Sequence, residues 1–174
     1  MSDQMRTQRL LLRPVGPVDA GPITQLVQNP GVYRMLASVA PGQCKAQTLG
    51  WIAGHGAAAM SDREHVRAMI LDGELVGVIG ANRKVAGLPF TIGYWLSPSA
   101  WGKGLTTEAA AALLSWLERR GETAFLSGHF ADNPASGRVL QKLGFIRAGR
   151  SKLFSLGRGE AVDHFDMARI ARNA

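Results

Sequence analysis

Hydrophobic and polar positions change period several times along this chain, and each change marks an element. Gln8 to Arg13 carries the run Leu10-Leu11-Leu12 and reads as a short first strand, stopped by Pro14 and Pro17. Val18 to Gln28 then sets Ile23, Leu26 and Val27 at helical spacing, and a second helical stretch, interrupted by glycines, covers Ala46 to Met60. The period shortens after it. His65 to Leu71, the pair Asp72-Gly73 and Glu74 to Ala81 form strand, tight turn and strand, because Asp-Gly takes the positive φ that a two-residue hairpin turn needs. Gly87-Leu88-Pro89 turns the chain into Thr91 to Leu96, the third strand of a meander.

The second half holds the strongest helix signal. Leu113, Trp116 and Leu117 are spaced three and four apart and share one face, and Glu118-Arg119-Arg120-Gly121 ends the helix with cations and a glycine. Thr123 to Phe130 reads as a strand, Pro134 to Leu143 as a short helix, and Phe145 to Leu156 with Ala161 to Ile170 as a closing strand pair. Strands alternating with helices in this way predict an α/β domain with a mixed sheet and no internal repeat. At 174 residues, residues 1–174 are expected to form a single domain with an ordinary core.

Composition narrows the function classes. Hydrophobic residues make up 46% and charged residues 19%, which is globular rather than disordered. A net charge of +7 suits an anionic partner, whether nucleic acid, an acidic surface or a polyphosphate-bearing small molecule. Cys44 is the single cysteine, so an internal disulfide and a thiolate-rich metal site are both excluded. The apolar run at the N-terminus is too short for a signal peptide, and no apolar segment approaches the roughly 18 residues of a membrane span. A cytoplasmic protein with no membrane association is expected.

The chemistry concentrates in Ser99-Ala100-Trp101-Gly102-Lys103-Gly104-Leu105-Thr106-Thr107-Glu108. A helix start leaves backbone N–H groups unpaired and carries partial positive charge, so a glycine turn leading into one is an anion cradle. Two nucleotide motifs fail on residues. A Walker A loop requires Ser or Thr after Gly-Lys, where Gly104 stands, and the dinucleotide fingerprint requires a third Gly or Ala, where Thr107 stands. A plain glycine turn between strand and helix remains the alternative at this point.

The neighbouring blocks decide differently. Gly102 and Gly104 followed by Thr107-Glu108-Ala109, then Asn133-Pro134-Ala135-Ser136, then Lys142-Leu143-Gly144-Phe145, form an ordered set over Thr91 to Phe145. In these residues the chain resembles the GNAT superfamily of N-acetyltransferases, and within it the Rim-type branch that acetylates ribosomal-protein N-termini. Ser99 departs from the family loop, which carries Gln or Arg there. Arg9 to Ala20 also resembles the opening of that branch, while Arg34 to Glu64 shows the weakest likeness.

The resemblance implies a mostly antiparallel mixed sheet, splayed around acetyl-CoA as co-substrate and flanked by helices. It places the pyrophosphate on the backbone N–H groups of Trp101, Gly102, Lys103, Gly104, Leu105 and Thr106. Lys103 either adds a charge contact or stays solvated. Glu108 would repel phosphates if it faced them, so it is expected to point sideways. The pantetheine arm is implied to bond the backbone near Trp95 and Leu96, with Asn133 and Lys142 among the cofactor contacts. Tyr94 and Trp95 alternate faces, and core filler is the default reading of each.

The implied reaction is direct attack of a primary amine on the thioester, the amine belonging to a protein N-terminus or a small molecule. Ser136 is implied as the acid that protonates the CoA thiolate; a helix-capping serine is the alternative. The base is open among His129, Asp132, Glu160 and Asp163. Asp163-His164-x-Asp166 does not converge on one face, so no metal is expected. Competing functions are a non-catalytic acyl-CoA-binding module and a nucleic-acid binder. The second lacks a stacking-aromatic pattern or a helix-turn-helix, so no direct nucleic-acid binding is expected. Exposed aromatic strands are compatible with a homodimer.

Overall fold

Backbone alternation and helical stripes meet on one sheet. A computed structural model describes residues 4–171. The strands are β1 (Met5–Arg6), β2 (Leu10–Pro14), β3 (Glu64–Leu71), β4 (Glu74–Asn82), β5 (Phe90–Leu96), β6 (Ala124–Phe130), β7 (Ile146–Ser155) and β8 (Glu160–Ile170). The helices are α1 (Ala20–Val27), α2 (Pro30–Tyr33), α3 (Lys45–Met60), α4 (Leu105–Glu118) and α5 (Pro134–Lys142). The sheet order is β1-β2-β3-β4-β5-β6-β8-β7. Every neighbouring pair is antiparallel except β5 with β6.

The expected elements are present with shifted ends. Pro17–Asp19 forms a short 3-10 turn, so α1 starts at Ala20 rather than Val18. The Asp72-Gly73 turn has φ of 51° and 87°, the positive pair that matches the twist of β3 and β4. Two short elements escape sequence reading. β1 has two residues, and α2 has four, started by Pro30 behind the Asn29 cap.

Each sheet face buries one helix layer. Ile23 and Val27 of α1 and Ile52 of α3 pack on Val66 and Val78 with Trp95. Leu105, Ala109, Leu113 and Leu117 of α4, with Leu140 of α5, pack on Met69, Ile79, Phe90, Ile92 and Phe125. Alternate residues of β5 thus enter different layers, which sends Tyr94 toward α4 and α5 and Trp95 toward α1. Among the described residues no helix is long and apolar enough to cross a membrane.

The sheet opens at its parallel joint. β5 and β6 pair only at Phe90 with Phe125 and Thr91 with Leu126, and then diverge. Ser127 Oγ bridges the start of the gap by donating to Ile92 O at 2.8 Å. This divergence positions the site.

Candidate active site

A cavity of about 1010 Å³ occupies the gap between β5 and β6. The turn before α4 forms one end. Gly102 and Gly104 have φ of 73° and 75°, in the left-handed region that glycine enters at least cost. A Cβ at Gly102 would meet no atom within 4 Å, so the turn faces open space. Glu108 N donates to Gly104 O as the first helical bond, which leaves the preceding N–H groups of α4 for an anion. Trp101 Nε1 donates to Leu96 O at 2.9 Å and fastens the turn to β5. Ser99, where the family has Gln or Arg, is held in its own turn by Ser97 Oγ at 2.6 Å.

Glu108 turns sideways, and the residues that turn it are far away in sequence. Thr7 Oγ1 and Arg9 N donate to Glu108 Oε1 at 2.6 and 2.8 Å, and Arg9 Nε donates to Oε2 at 2.7 Å. Desolvation favours the neutral acid, but these bonds outweigh it and hold the Glu108 carboxyl below the usual carboxylate range. Arg9 Nη1 also donates to Lys103 O at 2.9 Å. A cation that no motif marked therefore sits behind the glycine turn.

Of the residues implied by resemblance, Trp95, Leu96, Trp101, Gly102, Gly104, Leu105, Thr106, Asn133, Lys142 and Ser136 all line the cavity. Lys103 does not; its side chain is exposed beside the turn. The backbone of β5 separates Leu96 from Trp95. Ser97 N donates to Val76 O, so by alternation Trp95 turns its N–H and C=O to β4, while those of Tyr94 and Leu96 face the gap. Trp95 thus offers the cavity its ring, and Leu96 its N–H. Arg138 on α5 is a further cavity-lining cation that the motifs did not mark.

The opposite end is the start of α5. Asn133 is the N-cap, its Oδ1 accepting from Ser136 N at 3.2 Å, so the capping role falls to the asparagine and the serine hydroxyl is released from it. Ser136 Oγ lies 2.9 Å from Tyr94 Oη, across the gap. Burial pushes the Tyr94 hydroxyl up to about 12, despite the opposing bond to Ser136, so it stays protonated at neutral pH. Tyr94 is the site residue that its hydrophobic neighbours concealed. Its ring packs with the core as expected, and only the tip is polar.

The four base candidates separate. Arg158 grips Asp132 with bonds of 2.7 and 3.0 Å, and those bonds lower its carboxyl. Asp163 pairs with Arg150 at 2.8 Å on the solvent side, again held low by that bond. Glu160 is exposed at the start of β8, away from the cavity lining. His129 lines the cavity, its Nδ1 lies 2.8 Å from Phe130 O, a backbone carbonyl rather than a carboxylate, and its Nε2 packs beside α5. A Cβ at Gly137 would sit 2.7 Å from that nitrogen. Among the described residues no group of three or more His, Cys, Asp or Glu is placed to hold a metal.

The chain is similar to known proteins in sequence and in fold. Residues 9–146 match the acetyltransferase (GNAT) domain family. Over 78 residues the chain is 38% identical to a ribosomal-protein-serine acetyltransferase of Escherichia coli (strain K12), a match that spans 44% of this chain and 44% of that protein. RimL, a ribosomal-protein α-N-acetyltransferase solved with coenzyme A, superposes with a TM-score of 0.85 at 24% identity, covering 96% of this chain and 97% of its own. A Salmonella typhimurium acetyltransferase reaches a TM-score of 0.82 at 23% identity over 95% of this chain and 97% of its own. The microcin C7 immunity acetyltransferase MccE, solved with acetyl-CoA and AMP, reaches 0.83 at 18% identity over 94% of this chain and 93% of its own. At these identities the structures establish the fold, while the family match covers most of the chain: it belongs to the GNAT acetyltransferase family.

Proposed function

We propose that residues 1–174 act as a single acetyltransferase domain that moves an acetyl group from acetyl-CoA to a primary amine in a ternary complex. The observation that carries this is the cavity itself, with an N–H-rich glycine turn at one end and the Ser136–Tyr94 hydroxyl pair at the other. The residues fit the co-substrate. Gly102 faces open space, Arg138 and Lys142 line the same cavity, and the backbone of Tyr94 and Leu96 faces the gap. Acetyl-CoA supplies an activated acetyl group as its thioester.

The chain's own groups then divide the work. Backbone N–H groups from Gly102 to Thr106 take the pyrophosphate charge with help from the α4 dipole, the Trp101 N–H being donated to Pro98 O instead. The Leu96 N–H is placed to polarise a carbonyl in the gap, an oxyanion-type role. Ser136 gives its proton to the departing sulfur, while Tyr94, still protonated, donates to Ser136 Oγ and aims the serine proton into the cavity. The acceptor class is a free α-amino group, by analogy with the relative's name, in the cytoplasm. The exposed side chains of Ile146 and Phe154 on edge strand β7 offer the surface a homodimer would use.

The test is thermal stabilisation by acetyl-CoA, followed by thiol release against a panel of amines. Stabilisation with thiol release for at least one amine is expected. Binding without release for every amine favours a non-catalytic acyl-CoA module, and no binding removes the reading.

A further inference from the structure

A protonated amine cannot attack a thioester, and the Ser136–Tyr94 pair serves the leaving group rather than the acceptor. The cavity wall across β6 holds an unassigned pair. His164 and Asp166 stand on one face of β8, and both line the cavity. Asp166 Oδ1 lies 3.0 Å from His164 Nδ1, and Ser151 Oγ of β7 donates to the same oxygen at 3.0 Å. A carboxylate on Nδ1 fixes the proton there and leaves the lone pair on Nε2.

The neighbouring strand makes room for this ring. Gly128 faces Asp166 in the register, and a Cβ there would stand 2.6 Å from His164 Nε2, so any residue other than glycine at position 128 would force the imidazole to shift. Phe130 packs edge-on against the ring on the same face, with centroids 5.9 Å apart. The charges around it are few. Asp166 shares its strand, and Arg158 stacks on Phe130 and is neutralised by Asp132. Lys152 and Arg150 pair with Asp163 and Phe165 on the opposite face of the β7–β8 ladder, while Ser151 is the β7 partner of His164. Nearby Met35 and Leu36 are apolar.

We propose that His164 Nε2 is the general base for the acceptor amine, with Asp166 as the positioning residue that orients the imidazole and draws the ammonium to it. The inference rests on the acetyl-transfer reading above. One proton passes from the ammonium nitrogen to Nε2 and on to solvent. The freed lone pair bonds to the thioester carbonyl carbon, the carbon–sulfur bond breaks, and sulfur keeps its electron pair and takes the Ser136 proton. The second proton shed by nitrogen, as the amide forms, replaces the one Ser136 gave.

The experiment measures acetyl-CoA binding by calorimetry and kcat/KM for a serine-initiated peptide from pH 6 to pH 10, in wild type, His164→Gln and Asp166→Asn. Unchanged acetyl-CoA affinity is expected in all three. At pH 7, His164→Gln loses about 10²- to 10⁴-fold in kcat/KM, the usual contribution of a positioned base. That loss shrinks by about tenfold in all between pH 7 and pH 9, and then levels off, as the amine, with a pKa of about 8, deprotonates unaided. Asp166→Asn loses about tenfold with the same pH trend. A wild type that binds acetyl-CoA but acetylates nothing overturns the transfer reading. A wild type that turns over, with a His164→Gln profile superimposable on its own, overturns the His164 assignment alone. Should His164→Gln fail to bind acetyl-CoA, Asp166→Asn decides, and an unchanged profile there overturns the proposal.

Discussion

The hydroxyl pair at the start of α5 gives the sharpest quantitative prediction. Ser136→Ala removes one oxygen that lies 2.9 Å from Tyr94 Oη and belongs to no helix cap, since Asn133 holds that role. A neutral hydrogen bond of this kind contributes about 1 kcal/mol, and 1 kcal/mol moves the melting temperature of a chain this size by about 2–4 °C. The fold therefore survives the change. Turnover does not, if the serine protonates the leaving sulfur: loss of a positioned acid lowers kcat by about 10²- to 10⁴-fold, or about 3–5 kcal/mol of barrier. Acetyl-CoA affinity stays within about threefold, because the glycine turn proposed to hold the pyrophosphate lies at the other end of the cavity from Ser136. Tyr94→Phe supplies the second arm of a double-mutant cycle. It lowers kcat about tenfold when Ser136 is present and has no effect in the Ser136→Ala background, because its hydroxyl acts through the serine. Steady-state thiol release and calorimetric binding on the four proteins measure the cycle. Unchanged kcat in Ser136→Ala, or a binding loss that accounts for the whole defect, refutes the reasoning.

Three further outcomes follow from the same geometry. Gly104→Glu places a charged side chain at φ 75° in the turn, and acetyl-CoA binding measured by calorimetry is lost; retained affinity shows that the turn holds something else. Glu108→Gln reports the clamp between β1–β2 and α4. The Glu108 carboxyl titrates lower folded than unfolded, so its contribution is present above the unfolded value of about 4.3 and disappears as pH falls through the folded one. In urea unfolding the gap between wild type and Glu108→Gln is therefore wide at pH 7 and closes below about pH 4; a gap independent of pH contradicts the clamp. Arg158→Met breaks the pair with Asp132 and the bond to Arg34 O, which tie the turn after β7 to the loop after β6 and to the end of α2. Removing one partner of that pair is expected to cost about 1–3 kcal/mol by denaturant titration, and a change near zero shows that solvent replaces it.

Local rules were enough for much of the fold. Asp72-Gly73 fixed a hairpin because only a few residues accept its two positive φ angles, and Leu113, Trp116 and Leu117 fixed the face of α4 by spacing. β1 and α2 were illegible because two and four residues carry no period. The family blocks located the glycine turn and Asn133-Pro134-Ala135-Ser136, since both are contiguous and their geometry is set by neighbouring residues.

What sequence could not decide were contacts between distant segments. Tyr94 reads as core filler until β5 and β6 diverge and bring Ser136 to its hydroxyl, 42 positions away in the chain. Arg9 and Thr7 carry no motif, yet they turn Glu108 from the cradle across 99 and 101 positions. His164 and Asp166 were visible as neighbours on a strand, but the room for the imidazole comes from Gly128, which lies beside them only because β8 inserts between β6 and β7. The chain by itself determined its longer elements and its glycine turn, because torsional preference and hydrophobic period act over a few residues. Which side chains share the cavity was settled by strand order and register, because those bring together groups that no local interaction connects.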